Sequence, residues 1–207
     1  VADLDQAGRC GYYYNLLGLA GSTGIEQVME NISPSPHSPS PGVRKKENTV
    51  RMIAWEVTRS CNLNCIHCRA AAHRGPYPGE LSTKKCLALI DDIAAVSSPV
   101  IILTGGEPLL RPDIFDLASY GTQKGLRMVM ATNGTLVDQT VAQKMIASGI
   151  QRVSISIDGK DAPSHDAFRQ EHGAFDGAMR GIDALKAAGM EFQINTTITN
   201  ANLHELK

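Results

Sequence analysis

Five short apolar runs, each followed by a stretch of helical period or by a polar loop, govern what this chain can fold into. The runs cover 52–57, 100–103, 126–131, 153–157 and 192–198. Each has strand length, and Val153-Ser-Ile-Ser-Ile157 alternates so that Ser154 and Ser156 share one face. Between the runs, apolar residues recur at helical intervals over 83–96, 112–124, 137–148 and 175–188. Ser82 stands where an N-cap is expected, and Gly189 where a left-handed C-terminal cap is expected. Strand and helix in alternation predict a parallel α/β sheet, because each crossover must return the chain to the same end.

The polar and glycine-rich stretches of the chain then fall on one edge of that sheet. Cys61-Asn-Leu-Asn-Cys65-Ile-His-Cys68 leaves the first strand, and Gly105-Gly106-Glu107-Pro108 leaves the second. Thr132-Asn133-Gly134 follows the third and Ser156-Ile157-Asp158 the fourth, while Thr196 lies near the end of the fifth. Ligands of parallel sheets gather at the carboxyl ends of the strands, so these residues are the candidate site.

Within it, the cysteines carry the sharpest chemistry. The chain has five, an odd number, and three are clustered, which speaks for free thiols in a reducing compartment rather than a disulfide framework. Cys10 stands alone, and Cys86 lies on a predicted helix as a small buried residue. A tetrahedral zinc ion needs a fourth ligand, for which His73 is the nearby candidate. That alternative, a structural zinc module, leaves the later strand-end motifs without a purpose. Three thiolates on a four-iron four-sulfur cluster would leave one iron open to a small chelating molecule.

The spacing Cys-x-x-x-Cys-x-x-Cys after the first strand resembles the signature of the radical S-adenosylmethionine (SAM) superfamily, and the resemblance runs from about Met52 to the end. It implies a partial (β/α)6 TIM-like barrel, here truncated after about five strands, with a further strand expected beyond Lys207. It implies a 4Fe-4S cluster on Cys61, Cys65 and Cys68 and SAM as its partner, cleaved to methionine and a 5′-deoxyadenosyl radical. Gly105, Gly106 and Glu107 match the motif that receives the methionine amino group. Ser156 and Asp158 are implied at the ribose, and Arg169 at the SAM carboxylate. His67 stands where relatives carry an aromatic residue near adenine, and Asn133 and Thr196 are weaker candidates. A domain that keeps this fold without a cluster would need a damaged ligand, and all three cysteines are present.

The stretch from Ile53 to Ala72, with Arg69-Ala-Ala after the last cysteine, looks like the branch of alternative haem synthesis. That branch acts on side chains of iron porphyrinoids, and within it the likeness is to haem synthases that decarboxylate iron-coproporphyrin. A peptide-modifying or enzyme-maturing radical SAM protein is the alternative. An electron donor such as flavodoxin or ferredoxin is implied in either case.

Composition narrows the partners further. Twenty basic against twenty-one acidic residues, a net of -1, argue against a broad nucleic-acid face. No apolar stretch approaches membrane-spanning length, and the start lacks a signal peptide's basic and apolar regions, so a cytoplasmic protein is expected. Residues 1–50 read as an N-terminal extension with a Ser/Pro-rich linker over 33–42 and a basic patch at Arg44-Lys-Lys46. Residues 51–207 read as the core domain, with its C-terminal part missing.

Overall fold

The computed structural model describes residues 50–205. The expectations for the first forty-nine residues, including Cys10, the linker and the basic patch, lie outside the described residues.

The five strands are β1 (Met52–Thr58), β2 (Val100–Gly105), β3 (Arg127–Thr132), β4 (Val153–Ser156) and β5 (Phe192–Asn195). They pair in parallel in sequential order β1-β2-β3-β4-β5. The helices are α1 (Thr83–Val96), α2 (Ile114–Gln123), α3 (Gln139–Ala147), α4 (Ala162–Arg169) and α5 (Ala174–Ala188). Right-handed crossovers between sequential parallel strands put their helices on one face. Ile101, Leu103, Met128, Met130, Val153 and Ile155, at alternate positions of β2, β3 and β4, meet Ile90, Leu117, Met145 and Leu185 of the helices in one core. Each such side chain, fully buried, contributes about 1.5–3 kcal/mol.

The helix-facing side of β1 carries Ile53, Trp55 and Val57, which pack on that core. Met52, Ala54 and Glu56 alternate with them and are exposed on the sheet's other face. That open face and the carboxyl edge beside it are what the fold presents to a ligand.

The expected strands and helices are all there, with shifts at their ends. Helix α2 starts at Ile114, two residues late, because a 3-10 turn over Pro108–Leu110 comes first. Helix α3 starts after Asp138, whose carboxylate accepts the Val141 N–H at 2.7 Å. The fifth strand stops at Asn195, and Thr196 turns its hydroxyl onto the Ile157 carbonyl at 2.7 Å. Gly189 adopts φ 72° and closes α5 as expected, whereas Ser82 caps α1 without a side-chain bond. The element not expected is α4. Asp161 caps it by accepting the Ser164 N–H at 3.0 Å, and Arg169, placed in a loop by the sequence, is its buried last residue.

No helix among the described residues is long and apolar enough to cross a membrane.

Candidate functional site

The cysteine loop grows out of β1 and is held at both flanks. On one side Glu80 accepts the Thr58 hydroxyl at 2.8 Å and the Arg59 N–H at 2.7 Å. On the other, the two glycines after β2 come into contact with its backbone. A Cβ on Gly105, which has φ 143°, would lie 2.2 Å from the Thr58 carbonyl oxygen, and one on Gly106 would lie 2.3 Å from that of Ser60. Their want of a side chain lets the Gly106 and Glu107 N–H groups donate to Thr58 and Ser60, both at 2.8 Å. Helix α4 closes the far side: Asn64 N–H donates to the Arg169 carbonyl at 3.2 Å and Ile66 N–H to that of Phe168 at 3.1 Å. A small apolar cluster of Cys61, Leu63, Ala72 and Ala174 lies beneath, with Cys65 and Cys68 packed on it.

Each of the three sulfurs receives one N–H donor. The Leu63 N–H points at Cys61 Sγ at 3.4 Å, the Ala72 N–H at Cys68 Sγ at 3.3 Å, and Arg169 Nη1 at Cys65 Sγ at 3.5 Å. All three thiols are free. Burial pushes the Cys61 thiol up, with the Leu63 N–H opposing and Glu107, Cys65 and Cys68 adding to the rise. Burial also raises Cys65, against the pull of the Arg169 cation. Three sulfurs that hold no disulfide and each accept a donor suit thiolates bound to iron, since such bonds stabilise the ligating sulfur. Among the described residues no group of three His, Cys, Asp or Glu is arranged to hold a metal ion. His73, the zinc alternative's fourth ligand, turns its Nδ1 to the Tyr77 hydroxyl and packs its ring edge-on against that ring, 4.9 Å between centroids.

Glu107 is fully buried. Its Oε1 accepts the Thr132 hydroxyl at 2.8 Å and the Leu109 N–H at 3.1 Å, and its Oε2 accepts the Asn133 N–H at 2.8 Å. The sequence offers this carboxylate to a ligand amino group, and the structure gives it a further task, tying the ends of β2 and β3 together. Burial raises its pKa, against the three donors and the more distant Arg169 charge. Next to it Asn133 donates to Asn62 Oδ1 at 2.9 Å and accepts from the Thr135 hydroxyl at 2.7 Å, while Asn62 donates to Thr135 Oγ1 at 2.8 Å. This closed ring of three side chains joins the cysteine loop to the end of β3.

The end of β4 is arranged around Asp158, whose side chain is buried and forms an ion pair with Arg169. Its Oδ1 accepts the Thr197 N–H at 2.7 Å, and its own carbonyl accepts Asn202 Nδ2 at 2.8 Å. His67 packs on Phe168, 4.5 Å between centroids, with Nε2 4.0 Å from Asp158. Burial holds the His67 pKa down, with the Asp158 carboxylate opposing and the Arg169 cation adding to the fall. Asp158 and Thr196 also line a cavity of about 180 Å³ with Ile157, Gly159, Lys160, Asn202 and Glu205. Ser156 is half-buried at the strand end.

The expected site residues thus converge on one edge, with Asp158, Arg169, His67 and Cys65 in a continuous set of contacts. Residues 55–207 match the radical SAM superfamily. The chain belongs to that superfamily. Over 174 residues it is 58% identical to the AdoMet-dependent heme synthase of Nitratidesulfovibrio vulgaris, covering 84% of this chain and 47% of that one. It is 50% identical over 159 residues to the AdoMet-dependent heme synthase of Methanosarcina barkeri, covering 77% and 46%. The chain therefore spans about half the length of the curated relatives it matches. Its fold resembles that of anSMEcpe with bound AdoMet, at TM-score 0.58 and 21% identity over 70% of this chain and 43% of that one. Radical SAM proteins use a 4Fe-4S cluster and SAM, and the three donor-supported sulfurs are suited to that cluster.

Several site residues escaped the sequence reading: Asn62 and Thr135 of the polar ring, Phe168 beneath His67, and Thr197 and Asn202 around Asp158. Only Asn62 carried a signal, as a polar residue inside the cysteine loop.

Proposed function

We propose that this chain is the core of a radical SAM enzyme that decarboxylates propionate side chains of an iron porphyrinoid, iron-coproporphyrin in the first instance, in haem biosynthesis. Cys61, Cys65 and Cys68 hold the cluster, and residues 51–207 form the core domain behind an extension over 1–50. Held there, the cluster and SAM would supply radical chemistry able to remove a hydrogen from the propionate, with loss of carbon dioxide and one electron giving a vinyl group.

The chain's own residues orient and enclose. Gly105 and Gly106 bring backbone to the methionine end of SAM, and Glu107 sets the position of that turn from below. Ser156, Asp158 and Thr196, at and just beyond the ends of β4 and β5, would receive the ribose. Arg169 keeps donors free for the SAM carboxylate, its buried Nε having no acceptor among the described residues. His67 and Asn133 close the flanks, and His67 on Phe168 keeps water from that side. The electron comes from a donor such as flavodoxin or ferredoxin, in the cytoplasm.

The observation that carries the chemistry is the trio of free thiols, each with its own N–H donor, at the carboxyl edge of a parallel sheet. The substrate rests on the likeness to two heme synthases. Anaerobic reconstitution of the full-length protein with iron and sulfide, followed by low-temperature EPR, tests the first. A four-iron signal that shifts on adding SAM and is absent from C65A is expected; one zinc per chain and no cluster signal would end the reading. Assays with iron-coproporphyrin against a peptide test the second, and turnover of the peptide alone would move the enzyme to the peptide-modifying branch.

A further inference from the structure

We infer that Arg169 is a positioning residue for the cluster: anchored by Asp158, its guanidinium donates to the Cys65 sulfur and raises the potential at which the cluster accepts its electron. This rests on the reading that Cys65 ligates iron, and it gives Arg169 a role that is independent of SAM.

The three sulfur donors are of two kinds. Leu63 and Ala72 offer backbone N–H groups that any residue other than proline would supply. Among the described residues Cys65 alone of the three receives a side chain, and a charged one. That side chain has little freedom to leave, because it is 9% exposed and ion-paired to Asp158. Asp158 is fixed in turn by the Thr197 N–H on its carboxylate and by Asn202 on its carbonyl. The loop's position does not depend on the guanidinium, since Asn64 and Ile66 are held by the backbone carbonyls of residues 169 and 168. Replacing the side chain therefore removes a charge and a donor from one cluster ligand while the loop keeps its backbone anchors. A cation and a hydrogen bond at a ligating sulfur both favour the more negative, reduced cluster, and burial keeps water from screening the effect.

The experiment is an EPR-monitored redox titration of the reconstituted full-length protein, before any SAM is added, on the parent, R169K and R169Q. The C65A protein identifies which signal belongs to this cluster. R169Q is expected to make reduction about tenfold less favourable, a downward shift of about 59 mV for one electron. R169K, which keeps the charge but not the two-sided guanidinium, is expected to fall between. In parallel, parent protein grown with 15N-guanidinium arginine is expected to show hyperfine coupling of one arginine nitrogen to the reduced cluster in pulsed EPR, and R169K to lack it. An R169Q potential equal to the parent's, or no arginine coupling in the parent, overturns the inference. Should R169Q take up no cluster, the coupling in the parent decides by itself. A parent that binds no cluster would instead overturn the radical SAM reading.

Discussion

Two carboxylates are buried at the carboxyl edge of the sheet, Glu107 after β2 and Asp158 after β4, and they keep different company. Glu107 is surrounded by neutral donors, the Thr132 hydroxyl and the N–H groups of Leu109 and Asn133. Asp158 has a cation in contact, Arg169, and a single N–H from Thr197. Neutral donors satisfy a carboxylate without balancing its charge, so the end of β2 is a clamp. A cation in contact balances the charge and passes the arrangement on, here to the Cys65 sulfur. The difference makes the β2 end a neutral clamp, while the β4 end reaches through Arg169 to the Cys65 sulfur.

That contrast is broken most severely at Asp158. In D158N the Arg169 cation stays buried with its partner charge gone, and breaking such a pair costs about 3–5 kcal/mol. Urea unfolding of the cluster-free protein should show a loss of that order. A loss below about 1 kcal/mol, the range of an exposed pair, would mean that Arg169 finds water or another acceptor.

A smaller loss is expected at Glu107. In E107Q one oxygen still accepts, but an amide NH₂ then faces a donor, which leaves a buried N–H without a partner at a cost of about 1–3 kcal/mol. The same comparison of urea midpoints measures it, and an effect as large as that of D158N would erase the distinction between clamp and ion pair.

The pH dependence of stability sharpens the same point. Because burial raises the Glu107 pKa above its unfolded value, the folded state binds its proton more tightly than the unfolded chain does. Its contribution is fully present below the ordinary glutamate pKa of about 4.3 and is lost as pH rises through the higher folded value. Asp113, beside Arg111, has a lowered pKa and acts in the opposite sense, losing its contribution as pH falls through the folded value. Urea midpoints of parent and E107Q across the acid range isolate the Glu107 part: the parent should lose stability relative to E107Q as pH rises from about 4.3 through the raised folded-state value. Parallel curves would show that burial does not shift this carboxylate.

How much of this was legible in the sequence follows from distance along the chain. The five strands, their order of use and the edge where the motifs gather could be read because apolar runs and the turns after them are local signals. The three cysteines could be read because their spacing falls within one loop. Helix α4 could not, since it is eight residues long and carries few apolar side chains. Arg169 could be named as a candidate but not placed, because its contact with Cys65 spans 104 positions. The Asn62–Asn133 bond likewise joins residues 71 apart, and neither residue type announces such a partner. Glu107 could be named from its match to the Gly-Gly-Glu-Pro motif, but its bonds to Thr132 and Asn133, across to the end of β3, show only in the packing.

The smallest effect is expected at a third carboxylate on the same edge. Glu56 faces the open side of the sheet, where Arg69, the residue after the last cysteine, approaches it at 3.4 Å. The Arg69 side chain is 81% exposed, so water screens the pair and its ordering entropy opposes it, leaving about 0–1 kcal/mol. R69A should therefore move the urea midpoint hardly at all. Charge pairing alone, then, does not set the rank of these three sites: burial separates Glu56 from the other two, and the partner's charge separates Asp158 from Glu107. If R69A destabilised the protein as much as D158N, the open face of the sheet would have to be covered in the full-length protein, and Glu56 would join Asp158 as a buried, balanced carboxylate.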